Sequence, residues 1–90
     1  MTMNKPLVSV IMPVYNGEKY IKQAVDSVYE QGVSLELLVI DDGSTDHTKE
    51  VLSAYEGRED FQYIKNKQNM GAAGSRNRGV KLAKGDYIAF

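Results

Sequence analysis

Four short segments of the chain are rich in apolar residues, with few polar interruptions. They are bounded by turn-forming residues, and each is shorter than an ordinary helix. Runs of this kind, rich in β-branched and aromatic residues, are typical of strands in a parallel sheet that is covered on both faces. The predicted strands are 8–14, 35–41, 61–65 and 87–90.

The segment 18–31, between the first two predicted strands, has the pattern of an amphipathic helix. Apolar residues lie at Ile21, Ala24, Val25 and Val28, which places them on one helical face. The sequence therefore predicts one helix that packs against the sheet here.

Two further segments between predicted strands also favour helices. The second predicted helix is 45–55, and Ser44 or Thr45 can cap its first turn. The third is 72–84, with Gly85 at its end, where glycine commonly terminates a helix.

Strand and helix alternate along the whole chain, and this alternation predicts the topology. Parallel strands need crossover connections that contain a helix, and such crossovers are right-handed. The sequence therefore predicts an α/β three-layer fold whose parallel sheet has the order 3-2-1-4 and carries helices on both faces. The first two helices lie on one face, and the third lies alone on the other.

A single helix is too narrow to cover one face of a four-stranded sheet. We therefore expect side chains of 8–14 and 35–40 that point to this face to stay partly exposed, next to an edge strand at 87–90. This predicts self-association through the uncovered sheet face or the edge strand, or order only within a longer chain. Residues 1–90 are interpreted as a single partial domain that continues beyond residue 90.

Composition excludes several classes of protein. The formal net charge is −1, so no charge-driven binding to nucleic acid or to a membrane surface is expected. The longest apolar stretch, 7–15, is too short to span a bilayer. Cysteine is absent, which rules out disulfides and thiolate zinc sites and suits a reducing compartment.

Candidate ligand-binding residues lie at the carboxyl ends of the predicted strands, where open parallel sheets bind their ligands. Pro13 and Tyr15 lie at the end of the first strand, and Asp41 and Asp42 at the end of the second. Arg76 lies in the helix that follows the third strand. An aromatic ring, a carboxylate pair and a guanidinium group are the parts of a nucleotide site.

Four sequence strings in this order and spacing resemble the start of a known enzyme family. They are VSVIMPVYNGEKYI, ELLVIDDGSTD, NMGAAGSRNRG and GDYIAF. Together they span nearly the whole chain, and they resemble the N-terminal, nucleotide-binding portion of a family 2 glycosyltransferase of the GT-A fold. The resemblance implies an inverting enzyme that transfers a sugar from a nucleotide-diphospho-sugar, UDP-linked in most cases, to an acceptor hydroxyl.

The resemblance also implies roles for individual residues. Pro13 and Tyr15 would flank the nucleobase, usually uracil, with Tyr15 stacked on it. Asp42 would accept a hydrogen bond from the imide N–H of the base, and Asp41 would stand beside it in support. A cytoplasmic location would suit an enzyme that uses the nucleotide-sugar pool.

Two further residues are implied with less defined roles. Arg76 would face the base or the diphosphate, and Glu18 matches an acidic position after the Tyr-Asn pair. The DXD motif of the family, which binds Mg²⁺ or Mn²⁺, follows the fourth strand and lies beyond Phe90, as do the general base and the acceptor site. We therefore expect the 90-residue chain alone to bind no metal and to be inactive.

Structural interpretations of the same residues remain open. Pro13 can end a strand, and Tyr15 can pack at the edge of the core. Asp41 and Asp42 can stabilise a helix N-terminus, where the dipole favours anions. Each residue taken alone is therefore weaker support for a nucleotide site than the set.

Other polar and glycine positions favour structural roles. Asp46 and His47 are interpreted as surface residues of a first helical turn. Gly71, Gly74 and Gly79 match neither the dinucleotide-binding fingerprint nor a P-loop. Because glycine weakens a helix, close packing against the sheet is the preferred reason for Gly74 and Gly79.

Other α/β proteins fit the positions less well. A Rossmann dehydrogenase needs a glycine-rich turn after the first strand, where this chain has Tyr15-Asn16-Gly17-Glu18. A phosphoacceptor receiver domain has its acid pair at the end of the first strand, where this chain has Pro13-Val14-Tyr15. A non-catalytic module that binds a nucleotide or a partner remains the alternative to an enzyme.

Overall fold

The computed structural model describes residues 7–90, which form one sheet flanked by helices. Within these residues, no helix has both the length and the apolar character needed to cross a bilayer. The strands are β1 (Val8–Val14), β2 (Leu35–Asp41), β3 (Phe61–Lys65) and β4 (Tyr87–Ala89). The helices are α1 (Ile21–Tyr29), α2 (Thr48–Leu52), a 3₁₀ turn at Ser53–Tyr55, and α3 (Gly71–Leu82).

The sheet is parallel throughout, and its order is β3-β2-β1-β4. The predicted order 3-2-1-4 is confirmed. In the register of β1 and β2, Val8 pairs with Leu35 and Val14 pairs with Asp41. The carboxyl ends of the two central strands therefore lie side by side.

The first helix begins three residues later than the sequence predicts. Residues 17–20 form a turn in which the carbonyl oxygen of Gly17 accepts from the N–H groups of Tyr20 and Ile21. A Cβ atom at Gly17 would lie 2.6 Å from Cγ2 of Val14, so this turn can pack on β1 only with glycine.

The predicted cap of the second helix is wrong. Ser44 and Thr45 are not at the start of α2; they bind Asn16 in the neighbouring loop, at 2.8 Å in each case. Asp46 stabilises the first turn instead, because its Oδ1 accepts the backbone N–H of Thr48 at 3.0 Å. The helix consequently begins at Thr48, and Asp46 is a structural residue as well as a surface residue.

The face that carries α1 and α2 holds the larger core. The alternate residues of β2 that point to this face are covered by both helices, because apolar side chains of α1 and α2 lie at helical spacing over them. The buried cluster consists of Val14, Ile21, Val25, Leu35, Leu37, Val39, Leu52 and Phe61.

The opposite face is covered by α3, which lies on β1 and β2. A Cβ atom at Gly79 would lie 2.5 Å from Cγ2 of Ile11, so glycine lets the helix approach the sheet closely. A Cβ atom at Gly74 would meet Met70 of its own turn at 2.9 Å, not the sheet. Close packing against the sheet therefore explains Gly79 but not Gly74. The buried cluster here consists of Ile11, Leu38, Ile40 and Ile64.

The expectation that the α3 face of β1 and β2 stays partly exposed is wrong. Ile11 and Leu38 are fully buried on this face, because the close approach of α3 covers the two central strands. Exposure is concentrated at the edge strand instead. Tyr87 is 62% exposed and Phe90 is 69% exposed.

Candidate functional site

A pocket of about 130 Å³ opens at the carboxyl ends of the central strands. It lies between the end of β1, the residue after β2 and the first turns of α3, where open parallel sheets bind ligands. Its lining residues are Pro13, Val14, Tyr15, Asp42, Ala72 and Ser75. Three of the predicted site residues, Pro13, Tyr15 and Asp42, are thus brought together.

The carboxylate of Asp42 is held by the N-terminus of α3. Its Oδ1 accepts from the backbone N–H of Met70 at 2.6 Å and from the side-chain amide of Asn66 at 2.9 Å. Its Oδ2 accepts from the backbone N–H of Gly71 at 2.9 Å. These hydrogen bonds, first that of Met70 and then that of Asn66, hold the pKa of Asp42 below its ordinary value. The group is therefore a carboxylate at neutral pH.

Asp41 points to the opposite side of the sheet and does not line the pocket. It is 1% exposed, and its Oδ2 accepts from the hydroxyl of Tyr63 at 2.6 Å. Its Oδ1 accepts from the backbone N–H of Ser44 at 2.8 Å. Because successive residues of a strand point to opposite faces, two adjacent acids have entirely different surroundings.

Tyr15 is presented by a loop that is joined to the loop after β2. The residue is 52% exposed. The next residue, Asn16, has φ of 51°, a left-handed conformation that asparagine tolerates better than most residues. Its backbone N–H donates to Ser44 and its side-chain oxygen accepts from Thr45. These hydrogen bonds between the two loops fix the path of the loop after β1 and therefore the position of Tyr15.

Further hydrogen bonds between the same two loops involve Gly17 and Glu18. The backbone N–H of Gly17 donates to the hydroxyl of Thr48 at 2.8 Å, and that of Glu18 donates to Asp46 at 3.2 Å. Desolvation raises the pKa of Asp46, but its hydrogen bonds from Thr48 and Glu18 outweigh this and lower it. The carboxylate of Glu18 lies 3.5 Å from Nδ1 of His47, outside the pocket.

The two arginines of α3 have different surroundings. Arg76 is exposed and does not line the pocket; its guanidinium lies 6.0 Å from the centre of the Phe90 ring. Arg78 donates to the carbonyl oxygen of Lys65 at 3.0 Å and to the side chain of Asn66 at 2.6 Å. Arg78 is therefore linked to Asp42 through one residue, whereas Arg76 is not.

Asn66 is a residue of the site that the sequence interpretation missed. It follows β3 directly, is 1% exposed and contacts Asp42, Ser75 and Arg78. Its position at the carboxyl end of a strand was a usable signal. The sequence alone does not single it out, because asparagine in a polar loop is ordinarily a turn residue.

Within the described part of the chain, no group of three or more histidine, cysteine or acidic residues could hold a metal ion. Of the residues described as lining the pocket, Asp42 is the one carboxylate, and it already accepts three hydrogen bonds from the chain. The described residues therefore do not fit the metal that the family resemblance implies.

A second hollow lies at the amino-terminal end of the sheet. It has a volume of about 190 Å³ and is mainly polar, with Glu36, Glu59 and Asp60 among its lining residues. It lacks an exposed aromatic ring next to a carboxylate that is fixed by hydrogen bonds. Open parallel sheets also bind their ligands at the carboxyl ends of the strands, not at the amino-terminal end. The pocket beside Tyr15 and Asp42 is therefore the candidate site.

Known proteins are similar to this chain in sequence and in fold. The chain is 42% identical over 90 residues to an uncharacterized glycosyltransferase of Haemophilus influenzae; the match covers 98% of this chain and 36% of the relative. The chain thus spans just over a third of that relative's length.

Solved structures with a similar fold include two bound to nucleotide-sugars. One is the mannosyltransferase PcManGT from Pyrobaculum calidifontis in complex with GDP-Man and Mn²⁺, with 30% identity and a TM-score of 0.84 over 94% of this chain and 26% of that one. The other is S. aureus TarS 1-349 in complex with UDP-GlcNAc, with 33% identity and a TM-score of 0.81 over 90% and 24%.

The family can be named from these matches. The model of glycosyl transferase family 2 matches residues 9–90, which is nearly the whole chain. The parallel α/β fold is similar to the folds of PcManGT and TarS, with TM-scores of 0.84 and 0.81. The chain belongs to glycosyl transferase family 2.

Proposed function

We propose that this chain is the nucleotide-binding part of an inverting glycosyltransferase. The complete enzyme would transfer a sugar from a nucleotide-diphospho-sugar, UDP-linked, to an acceptor hydroxyl. The observation that carries the proposal is the pocket that joins the exposed ring of Tyr15 to the carboxylate of Asp42. A cytoplasmic location belongs to the same proposal, since it rests on the nucleotide-sugar donor.

The chemistry of the pocket supports a nucleobase as its ligand. An aromatic ring with one open face stacks well on a planar base, and Pro13 offers an apolar wall next to it. Asp42 is ionised, and its Oδ2 accepts one hydrogen bond from within residues 7–90, so one acceptor position is left for a ligand. An acceptor there suits the imide N–H of uracil.

The pocket is too small for a whole nucleotide-sugar, so other parts of the donor would lie outside it. We propose that Arg76, which is exposed on α3, faces the base or the diphosphate of the donor, and that Glu18, in the loop after β1, belongs to the same site. Asp41 would act indirectly, because it holds the backbone of Ser44 next to the Tyr15 loop. The ligands of Mg²⁺ or Mn²⁺ and the general base would be residues after Phe90 in the complete enzyme. The 90-residue chain alone would therefore not transfer sugar.

Nucleotide titration tests the role of the pocket. We expect the full-length protein to bind UDP in preference to ADP, as measured by calorimetry. Asp42→Ala should lower the affinity for UDP about tenfold or more, because a hydrogen bond to a charged group is lost. Glu59→Ala, a loss of one exposed acid at the other end of the sheet, should leave it unchanged. An unchanged affinity in Asp42→Ala would show that the base does not bind at this carboxylate.

We also propose that the 90-residue chain self-associates through its edge strand. Within the described residues β4 pairs with β1 alone, and Tyr87, Ile88 and Phe90 are all exposed at this edge. A strand with free N–H and C=O groups and apolar side chains is a template for pairing. Sedimentation at several concentrations should show reversible association, which Ile88→Lys should weaken. A monomer at every concentration would contradict this part of the proposal.

A further inference from the structure

The strongest unassigned feature is the buried hydrogen-bond centre at Asn66. Its side-chain nitrogen donates both hydrogens, one to Oδ1 of Asp42 and one to the hydroxyl of Ser75, each at 2.9 Å. Its side-chain oxygen accepts from Arg78 at 2.6 Å. Its backbone N–H donates to the carbonyl oxygen of Asp41 at 2.8 Å. One side chain thus ties the end of β2 to two positions of α3.

These contacts define which oxygen of Asp42 is available to a ligand. A carboxylate oxygen has two acceptor positions. Oδ1 uses both, for Asn66 and for the backbone of Met70, whereas Oδ2 accepts from Gly71 within the described part of the chain. Rotation of the carboxylate would break all three hydrogen bonds, so the orientation is maintained.

We propose that Asn66 is a positioning residue of the nucleotide site. Its amide donates a hydrogen bond to Oδ1 of Asp42, so that Oδ1 is used within the chain and Oδ2 remains the acceptor for the N–H of the base. This inference rests on the proposed function. Asn66 itself does not line the pocket and acts through Asp42.

The position requires an amide in one orientation. The nitrogen has to face Asp42, and Arg78, which can only donate, holds the amide oxygen on the other side. Without Arg78, the amide can turn over and present its oxygen to the carboxylate. An aspartate at position 66 would place a second carboxylate at hydrogen-bond distance from Asp42, and an alanine would leave Oδ1 without this donor.

The affinity ratio of UDP to CDP measures positioning separately from stability. The two nucleotides share the ribose and the diphosphate, but N3 of uracil carries a hydrogen and N3 of cytosine is an acceptor. We expect the full-length wild-type protein to prefer UDP, and Asn66→Ala and Asn66→Asp to lower the ratio about tenfold. Arg78→Met, a milder change at the helix surface, should lower the ratio by a smaller factor. Titrations are made by calorimetry well below the melting temperature of each variant.

Two controls separate the possible failures. Ser9 is also fully buried, and its hydroxyl contacts Glu36 and Gly85 at the other end of the sheet. Ser9→Ala should lower the melting temperature and leave the UDP to CDP ratio unchanged. Asp42→Asn should abolish the preference; if it does not, the proposed role of Asp42 fails. If Asp42→Asn abolishes the preference while the Asn66 and Arg78 variants keep it, the positioning role of Asn66 is overturned.

Discussion

The two faces of the sheet are stabilised in different ways. The face under α1 and α2 buries eight apolar residues from five elements around Leu37 and Val25. The face under α3 buries four, all from strands, and α3 itself contributes Gly79 and Ser75 as its buried residues. On the first face both the strands and the helices bury apolar side chains, whereas on the second the strands supply the apolar side chains and α3 supplies close approach and polar contacts.

The candidate site lies on the second face. Its residues belong to the same hydrogen-bond network that joins α3 to the sheet, through Asp42, Asn66 and Ser75. Val14 belongs to the larger core and also lines the pocket, but the other residues of that core do not line it. Two lining residues, Ala72 and Ser75, belong to α3, so a displacement of α3 changes the pocket directly. The following variants test this difference, from the largest expected effect to the smallest.

The largest effect is expected from Leu37→Ala on the first face. Leu37 is fully buried, so its truncation leaves a cavity and lowers the free energy of unfolding by about 2–5 kcal/mol. Denaturant unfolding of the full-length protein measures this change. UDP affinity in the folded variant should equal that of the wild type; a loss of affinity would show that the two faces are coupled.

A smaller effect is expected from Tyr63→Phe, which removes the hydroxyl donor of the buried Asp41. The free energy of unfolding should fall by about 1.5–3 kcal/mol, because a hydrogen bond to a charged group is lost. Burial, and then the bond to Asp41, raises the pKa of Tyr63. The contribution is therefore present below the ordinary tyrosine pKa of 10.0 and is lost as pH rises through the higher folded value.

The pH dependence needs a comparison between the two proteins, because other tyrosines also titrate late. Burial raises the pKa of Tyr29 and of Tyr55 to about 12 in each case. The stability difference between wild type and Tyr63→Phe should be constant from neutral pH to about pH 9 and should shrink at strongly alkaline pH. A difference that already disappears at neutral pH would contradict the role assigned to this hydrogen bond.

On the second face, Gly79→Ala tests close approach. The new Cβ would lie 2.5 Å from Cγ2 of Ile11, so α3 has to move, and the free energy of unfolding should fall by about 1–3 kcal/mol. Unlike Leu37→Ala, this variant should also weaken UDP binding. Adding Ile11→Ala removes the clashing atoms, so the double variant should be more stable than the sum of the single changes predicts. If the losses in the free energy of unfolding were additive, a clash between position 79 and Ile11 would be excluded.

The smallest effect is expected from acid titration of Asp42. Hydrogen bonds from Met70 and Asn66 lower its pKa below 3.8. The carboxylate therefore stabilises the fold fully above that pH, and this contribution is lost as pH falls through the lower folded value. The difference in melting temperature between wild type and Asp42→Asn should shrink with acidification below about pH 4. A constant difference would show that the negative charge does not stabilise α3.

The strands were the most predictable part of the fold. The bounds 8–14, 35–41 and 61–65 agree with the structure, because apolar composition and turn residues mark both ends of each strand. Helix ends were less predictable. The start of α2 depends on Asp46, whose role required knowing that Ser44 and Thr45 are used by Asn16 from another loop.

The sequence predicted the location of the site better than the contacts within it. Strand order alone brings Pro13, Tyr15 and Asp42 to one edge, and these three do line one pocket. The sequence did not show that Asp42 lines the pocket and Asp41 does not, or that Arg78 contacts Asn66 and Arg76 does not. Neighbouring side chains of the same type differ only in the direction in which the backbone points them, and that direction is known only from the structure.

By itself, then, the sequence of this protein determined its periodic elements, their parallel order and the family to which it belongs, because these depend on local pattern and on the handedness of crossovers. The tertiary structure decided which acid faces the pocket, that Asn66 joins it to α3, and that Gly79 lets α3 approach the second face closely. Those features depend on distances between residues far apart in the chain. Such distances exist only once the helices have packed on the sheet.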